Sequence, residues 1–590
     1  MTQDQLETHL SEDAAQNVHA WLTEPKYAEY KVELEELIAD GQWKQLEDAF
    51  FKVIEFGTGG RRGTTGIGSN RINRVTIGES TQALCQYALL ADPQAAEKGI
   101  VIACDTRLSS PELSRYAAQV AAANGFSTYL FESFRATPEL SFAVRELGTA
   151  VGVVISASHN QPADNGFKGY WTDGGQLVSP HDTGVLAAAA EIEVINVTDY
   201  DQAVVAGKIV LVGKELDDKY IAAALQETEG EARGLKIVYS PLHGAGQTNT
   251  LPLLRAAGFA DVSVVEAQMT PDGNFPTVEN NKANPEERAA NDRAVAQMIA
   301  ENADIAITND PDADRIGVIV REANDKPFYL TGNLSAVLAA DYVLQKKQAR
   351  AELTPKHYVA KTIVTTDMLT ALADHYGVRT YGNMLIGFKY IGRLLRDKEG
   401  TDEQFVIGCE ESYGLLKGTY ARDKDGAIGA LPLAEYAAEL KLEGKTLVDR
   451  LFELYGQYGL YMEQLHNIVS PGADGFARMQ QIMAGLRAHP PTLVSDQRVT
   501  HVTDYKTLIR RSLADGAEES VDCDAGDVVV LEFGDSRRRI TVRPSGTEPK
   551  LKFYIQWHAD PSDNLRNQYD ELARYLEGLA RELEGLILAN

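Results

Sequence analysis

Short β-branched runs alternate with helix-length segments three times along this chain, and that alternation restricts it to α/β architecture. The first block reads strands near 99–104, 127–131 and 150–157, with helices between them. The second begins near Lys208 and ends near Val320, with strands near 235–240, 262–265 and 305–308. The third spans about 326–456 and carries helices near 334–348 and 431–440. From Tyr458 the pattern changes to a smaller α+β unit that ends in a long helix. Residues 1–50 read as an amphipathic helical extension ending in W-K-Q-L-E-D-A-F-F (43–51). The expected units are therefore 1–50, 51–207, 208–325, 326–457 and 458–590. A length of 590 residues agrees with that division, since it suggests about three to five domains. The last helix carries Leu565, Tyr569, Leu572, Leu576, Leu579, Leu583 and Leu586, alternately four and three apart. One apolar stripe packed on the unit's own sheet is expected; a coiled coil is the alternative.

The formal net charge is −28. A surface of that sign repels nucleic acid and anionic membranes, so neither is an expected partner. It also repels anionic substrates, so any phosphate site must gather its basic residues in one cleft. No run approaches the roughly 18 apolar residues of a membrane helix, and the polar, acidic N-terminus does not read as a signal peptide. A cytoplasmic protein, monomer or dimer, is expected. Cys85, Cys104, Cys409 and Cys523 are far apart, which argues against a disulfide framework and a zinc knuckle.

Four loops carry chemistry. S-A-S-H-N-Q-P-A-D-N-G-F-K (156–168) follows a buried-strand run, and its serine is expected on an exposed turn. Ser158 is the candidate phosphoryl carrier; the same residue types also cap turns. N-D-P-D-A-D-R (309–315) sets Asp310, Asp312 and Asp314 at alternate positions. Three such carboxylates offer hard oxygen ligands that suit Mg²⁺ rather than zinc. An EF-hand loop is excluded, because Arg315 and Arg321 stand where Gly and Glu are required. G-C-E-E-S-Y-G (408–414) offers carboxylate and hydroxyl groups to sugar hydroxyls. R-P-S-G-T-E-P-K (543–550) supplies Arg543, the Ser545 and Thr547 hydroxyls and the Gly546 backbone N–H, a compact set of donors for a dianionic phosphate. Arg62 and Arg71 lie in a Gly-rich loop, and Lys389 lies beside a glycine-containing turn where its amine is expected to be exposed. Arg62, Lys168, Lys389, Arg422, Lys424 and Arg543 meet the charge requirement if these loops share one cleft.

In this order the four loops resemble those of the α-D-phosphohexomutase superfamily, the phosphoglucomutases and phosphomannomutases, over about residues 50–560. S-A-S-H-N is similar to the family's phosphoserine loop, D-P-D-A-D-R to its metal loop, E-E-S to its sugar loop and R-P-S-G-T-E-P-K to its phosphate loop. The departures are Gln161 where a proline is common, Gly59 and Arg61 for small and apolar residues, and Met384-Leu385-Ile386 for a threonine-containing sequence near the sugar-choice region.

The resemblance implies three similar mixed-sheet α/β domains and a smaller α+β domain around a central cleft. It implies an intramolecular phosphotransferase that interconverts hexose 1- and 6-phosphates, glucose before mannose or pentose, through phosphorylated Ser158 and a hexose 1,6-bisphosphate. A sugar phosphatase is the more distant alternative. The metal would be Mg²⁺, held by Asp310, Asp312, Asp314 and phosphorylated Ser158. Lys389 is the expected general acid/base and His159 its runner-up, with Lys168 and Arg62 supporting the transfer. Glu410, Ser412, Arg315, Arg543, Ser545, Gly546 and Thr547 would bind the sugar phosphate.

Overall fold

The computed structural model describes residues 2–54, 60–469, 473–545 and 550–589. Helices Glu12–Thr23, Lys31–Ala39 and Trp43–Phe50 close around Trp21, Leu34, Leu46 and Phe50. Ser11 caps the first of these: its Oγ accepts from the Ala14 N–H and donates to Glu47, satisfying one end-of-helix donor.

The first sheet runs Gly60–Thr64, Asp164–Trp171, Val151–Ile155, Ile100–Cys104, Thr128–Phe131, Ile209–Val212. Its last four strands are parallel and its first two antiparallel. Strand Ile209–Val212 closes the edge of this sheet, so the first unit continues past the boundary expected at 207. The second sheet runs Pro327–Leu330, Ile316–Arg321, Ile305–Asn309, Ile237–Ser240, Val262–Val264. Here too the expected boundary, at 325, falls inside an antiparallel hairpin. Periodicity identifies such strands but says nothing about which sheet edge they join. The third sheet is Arg379–Tyr381, His357–Lys361, Gln404–Glu410, Gly414–Lys417. The C-terminal unit is a seven-stranded antiparallel sheet, with helices Ala473–Ala488 and Leu565–Ala589 supplying apolar residues to its core.

One device recurs in all four units. Each chemistry-bearing loop lies between two paired antiparallel strands: Val151–Ile155 with Asp164–Trp171, Ile305–Asn309 with Ile316–Arg321, Gln404–Glu410 with Gly414–Lys417, and Asp535–Pro544 with Lys550–Ala559, the last pair flanking residues 546–549, which lie outside the described residues. Paired strands anchor both ends of each loop, which holds functional side chains on a rigid base.

The final helix serves two cores. Leu576, Leu579 and Leu583 pack on its own sheet. Leu565, Tyr569 and Leu572 reach the core of the second and third units, and the Arg566 guanidinium lies 4.0 Å over the Phe452 ring. The stripe is thus shared between units rather than spent on its own sheet. Leu579→Ala should destabilise the protein by about 2–5 kcal/mol, whereas Leu586→Ala, at a site 37% exposed, should cost about 1 kcal/mol or less. Urea unfolding checks this; equal losses would contradict the packing.

Candidate active site

Ser158 lies just beyond the buried strand Val151–Ile155 and is only 1% exposed. The exposed turn expected from its Asn-Gly surroundings is covered by the acidic loop of the second unit. Its φ is 52°, a left-handed backbone that costs a non-glycine residue about 1–3 kcal/mol. Arg107 holds that conformation in place. It is fully buried, and its guanidinium donates to the carbonyls of Ser158 and Asn160 at 2.6 Å, of Gln161 at 2.6 Å and of Asp164 at 2.8 Å. Its Nε lies 3.3 Å from the equally buried Asp105. Gln161 therefore contributes a carbonyl to the clamp that orders the loop. Sequence reasoning missed Arg107, because its targets are main-chain carbonyls without a residue signature.

The Ser158 hydroxyl donates to Asp310 Oδ2 at 2.7 Å across the first and second units. It also lies 3.2 Å from His159 Nδ1. Asp310, Asp312 and Asp314 are all buried, with ligand oxygens within 4.8 Å of one another. Ala313, at φ 50°, turns the chain so that they converge. Lys168 donates to Asp312 at 2.6 Å, as does the Thr137 hydroxyl at 2.8 Å. Lys424 lies 3.2 Å from Asp314. The Arg315 backbone N–H donates to Asp310 at 3.1 Å, and its guanidinium pairs with Glu286 at 3.2 Å.

Burial, with Asp314 and Asp312 alongside, pushes the Asp310 carboxyl well above the usual carboxylate range. Burial acts the same way on Asp312, but Lys168 outweighs it and holds that carboxyl well below the range. Asp312 Oδ1 and Asp314 Oδ1 remain buried without a hydrogen-bond partner. Such atoms are costly unless something positive meets them. The orphaned oxygens and the all-oxygen donor set fit a divalent metal.

Desolvation, with the charges of Arg315, Arg62 and Lys552 around it, holds the His159 imidazole well below its ordinary pKa and so neutral near pH 7. Arg62 is half-buried and donates to Asn160 Oδ1 at 3.5 Å. In the 408–414 loop, Glu410 is 5% exposed and lies 3.7 Å from Lys424. Glu411 is pushed up to about 7 by burial and by Glu410. Ser412 is half-buried in the same loop. Arg543 pairs across the sheet with Lys552, so both stand on one face. Lys552 also went unnoticed in the sequence, although its alternation with Lys550 beyond the loop is a usable signal. The Ser545 N–H donates to the Lys550 carbonyl at 2.7 Å. Gly546 and Thr547, like Gly59, lie outside the described residues.

Three basic residues have other work. Lys389 is not exposed: its side chain is 6% accessible and faces Asp182 of the first unit at 3.6 Å. Its described contacts include neither Ser158 nor the acid triad. Burial lowers its pKa while Asp182 acts against that. Arg422 is buried against the Thr419 carbonyl and Glu399. Arg71 pairs with Asp48 of the N-terminal extension. Met384, Leu385 and Ile386 are all buried, and the last two pack against Tyr505, Val528 and Val530 of the C-terminal unit.

Comparison with known proteins identifies the family. Models of the phosphoglucomutase/phosphomannomutase α/β/α domains match in sequence order: domain I over residues 53–195, domain II over 218–323 and domain III over 331–458. A phosphoglucomutase of Staphylococcus haemolyticus is 35% identical over 90% of this chain and 95% of its own length. One from Staphylococcus aureus is 33% identical over 90% and 94%. The fold is shared with a phosphoglucomutase/phosphomannomutase family protein of Burkholderia thailandensis, with TM-score 0.61 and 19% identity over 89% of this chain and 97% of the other. It is also shared with the parafusin phosphoglucomutase of Paramecium, with TM-score 0.63 and 15% identity over 90% and 96%. Fold, site and relatives define a phosphohexomutase, an isomerase that works on sugar phosphates. The chain belongs to the phosphoglucomutase/phosphomannomutase family, within the α-D-phosphohexomutase superfamily. Among the described residues no helix is long and apolar enough to cross a membrane.

Arg107→Met removes the charge beside buried Asp105 and the donor of four carbonyls. Urea unfolding should show a loss of about 3–5 kcal/mol. A loss under about 1 kcal/mol would mean that the serine loop keeps its shape without the clamp.

Proposed function

We propose that this phosphohexomutase interconverts glucose 1-phosphate and glucose 6-phosphate, with Ser158 as the phosphoryl carrier and glucose 1,6-bisphosphate as intermediate and activator. The observation that carries the reading is the Ser158 hydroxyl, buried and hydrogen-bonded to Asp310 at 2.7 Å beside a cation-ringed acid triad. Phosphoglucomutase relatives at 33–35% identity support the choice of glucose.

In the proposed cycle a free sugar hydroxyl attacks the phosphorus held on Ser158. The new P–O bond forms as the Ser158 Oγ–P bond breaks, the hydroxyl proton passes to a base, and Oγ receives a proton. The resulting bisphosphate turns over and returns its other phosphoryl group to Ser158. Charge neutralisation and alignment supply most of the acceleration in such transfers. Lys168, Arg315 and Lys424 ring the triad at the carrier, and half-buried Arg62 borders it through Asn160. Asp310, Asp312 and Asp314 would hold Mg²⁺, whose charge offsets that of the phosphoryl oxygens.

His159, held neutral and 3.2 Å away, is assigned as the base that takes the Ser158 Oγ proton when the serine accepts the returning phosphoryl group; the imidazolium so formed gives that proton back when Oγ next leaves phosphorus. That reading is favoured over Lys389, which is engaged with Asp182. Glu410 and Ser412 are assigned to the sugar hydroxyls. Arg543, with Ser545, Gly546 and Thr547, is assigned to the phosphate that is not being transferred, and Lys552 adds its charge on the same sheet face.

The purified protein, with Mg²⁺ and a trace of glucose 1,6-bisphosphate, is given glucose, mannose and ribose 1-phosphates in parallel. Glucose 6-phosphate should form fastest, with little free phosphate. A faster mannose or ribose reaction would overturn the substrate, and net phosphate release would overturn the returning carrier. Asp312→Asn should lower kcat by about a hundredfold or more and weaken Mg²⁺ binding measured by calorimetry. Unchanged Mg²⁺ affinity would remove Asp312 from the metal site.

A further inference from the structure

Arg62 is a thinly supported cation of the proposed site. Among the described residues its guanidinium makes one hydrogen bond, the 3.5 Å contact with Asn160. Its position therefore depends on the backbone of its own strand, Gly60–Thr64. That strand is the edge of the first sheet and pairs on one side only, with Asp164–Trp171. Something other than the sheet must hold it in register.

The holding comes from behind. Side chains alternate faces along a strand, so Arg61 points away from Arg62. Arg61 is 5% exposed, and its Nη1 donates to Glu79 Oε2 and to the Thr76 carbonyl, both at 3.0 Å. Glu79 is itself 8% exposed and has a second partner: Lys26 of the N-terminal extension, 2.9 Å from Oε1. The Lys26 ammonium also donates to the Ile192 carbonyl at 3.0 Å. One buried carboxylate is thus gripped from both sides, by a lysine of the extension and by the arginine whose chain neighbour enters the cleft. The extension also holds the loop beyond the strand. The Asn70 N–H donates to the Ala49 carbonyl, and the Ile54 N–H to that of Ser69. Gly68, at φ +132°, approaches Ala49 so closely that a Cβ would lie 2.4 Å from the Ala49 oxygen.

We infer that Lys26 and Glu79 are positioning residues for the mutase reaction: the N-terminal extension, through the Lys26–Glu79–Arg61 chain, sets the reach of Arg62 toward the phosphoryl group. This rests on the proposed role of Arg62 in the cleft. An ångström of misplacement in such a group is enough to lower turnover by about ten- to a hundredfold.

The test is a double-mutant cycle on the full-length protein, read as kcat and KM for glucose 1-phosphate together with the melting temperature. Lys26→Met should lower kcat about tenfold or more with a smaller change in KM, and Lys26→Arg should restore most of it. Glu79→Gln should repeat the loss. Ser11→Ala, which loosens the same extension at its cap, should lower the melting temperature and spare kcat. In an Arg62→Ala background Lys26→Met should cause no further loss of kcat. The inference is overturned if Lys26→Met and Glu79→Gln both leave kcat unchanged. An equal loss of kcat without Arg62, or a loss shared with Ser11→Ala, overturns it too. Absence of mutase turnover in the unmodified protein would instead sink the functional reading, so the two failures are separable.

Discussion

Three buried carboxylates with ligand oxygens within 4.8 Å of one another cannot stand alone in a folded protein. Much of the site's architecture follows from satisfying them. Lys168 comes from a strand of the first unit, Arg315 from the acidic loop of the second, and Lys424 from the loop before helix Gly426–Leu442 of the third. Thr137, at the start of a first-unit helix, donates its hydroxyl to the Asp312 carboxylate and its N–H to the Asp312 main-chain carbonyl. The same demand draws Ser158 against Asp310. The charges that the site needs for chemistry are therefore also what holds the first three units together at its centre, and two carboxylate oxygens are still left over.

Away from the triad the units are joined by further polar pairs. Tyr170 of the first unit donates to Asp423 of the third at 2.7 Å. Tyr220, on the helix after the first sheet, donates to Asp425 at 2.6 Å. The third and fourth units meet through Arg539 on Asp367, Arg393 on Asp524, and the apolar contact of Leu385 and Ile386 with Tyr505 and Val530. Leu385 and Ile386 thus belong to an interface in this structure.

The sequence was readable where function is local. Asp310, Asp312 and Asp314 converge because alternate positions on one tight loop must, and Ser158 follows an apolar strand that ends where Ser, His and Asn take over. Their loops could be recognised from a dozen residues each. Long-range partners were not readable. Arg107 acts on carbonyls more than fifty positions away, and Lys389 meets an aspartate on a helix of another unit. Strands Ile209–Val212 and Pro327–Leu330 join the preceding sheet rather than the following one, because sheet membership is decided by packing and not by alternation. The burial of Ser158 was hidden for the same reason: what covers it comes from 152 positions away.

The central claim is that Ser158 carries the phosphoryl group. The direct measurement is to incubate the protein with Mg²⁺ and glucose 1,6-bisphosphate labelled in its phosphates, digest it, and locate the label by peptide mass spectrometry. The account predicts label on Ser158 that is lost when glucose 1-phosphate is added. Label on an aspartate of the 310–314 loop, or label on Ser158 that glucose 1-phosphate fails to remove, would contradict it.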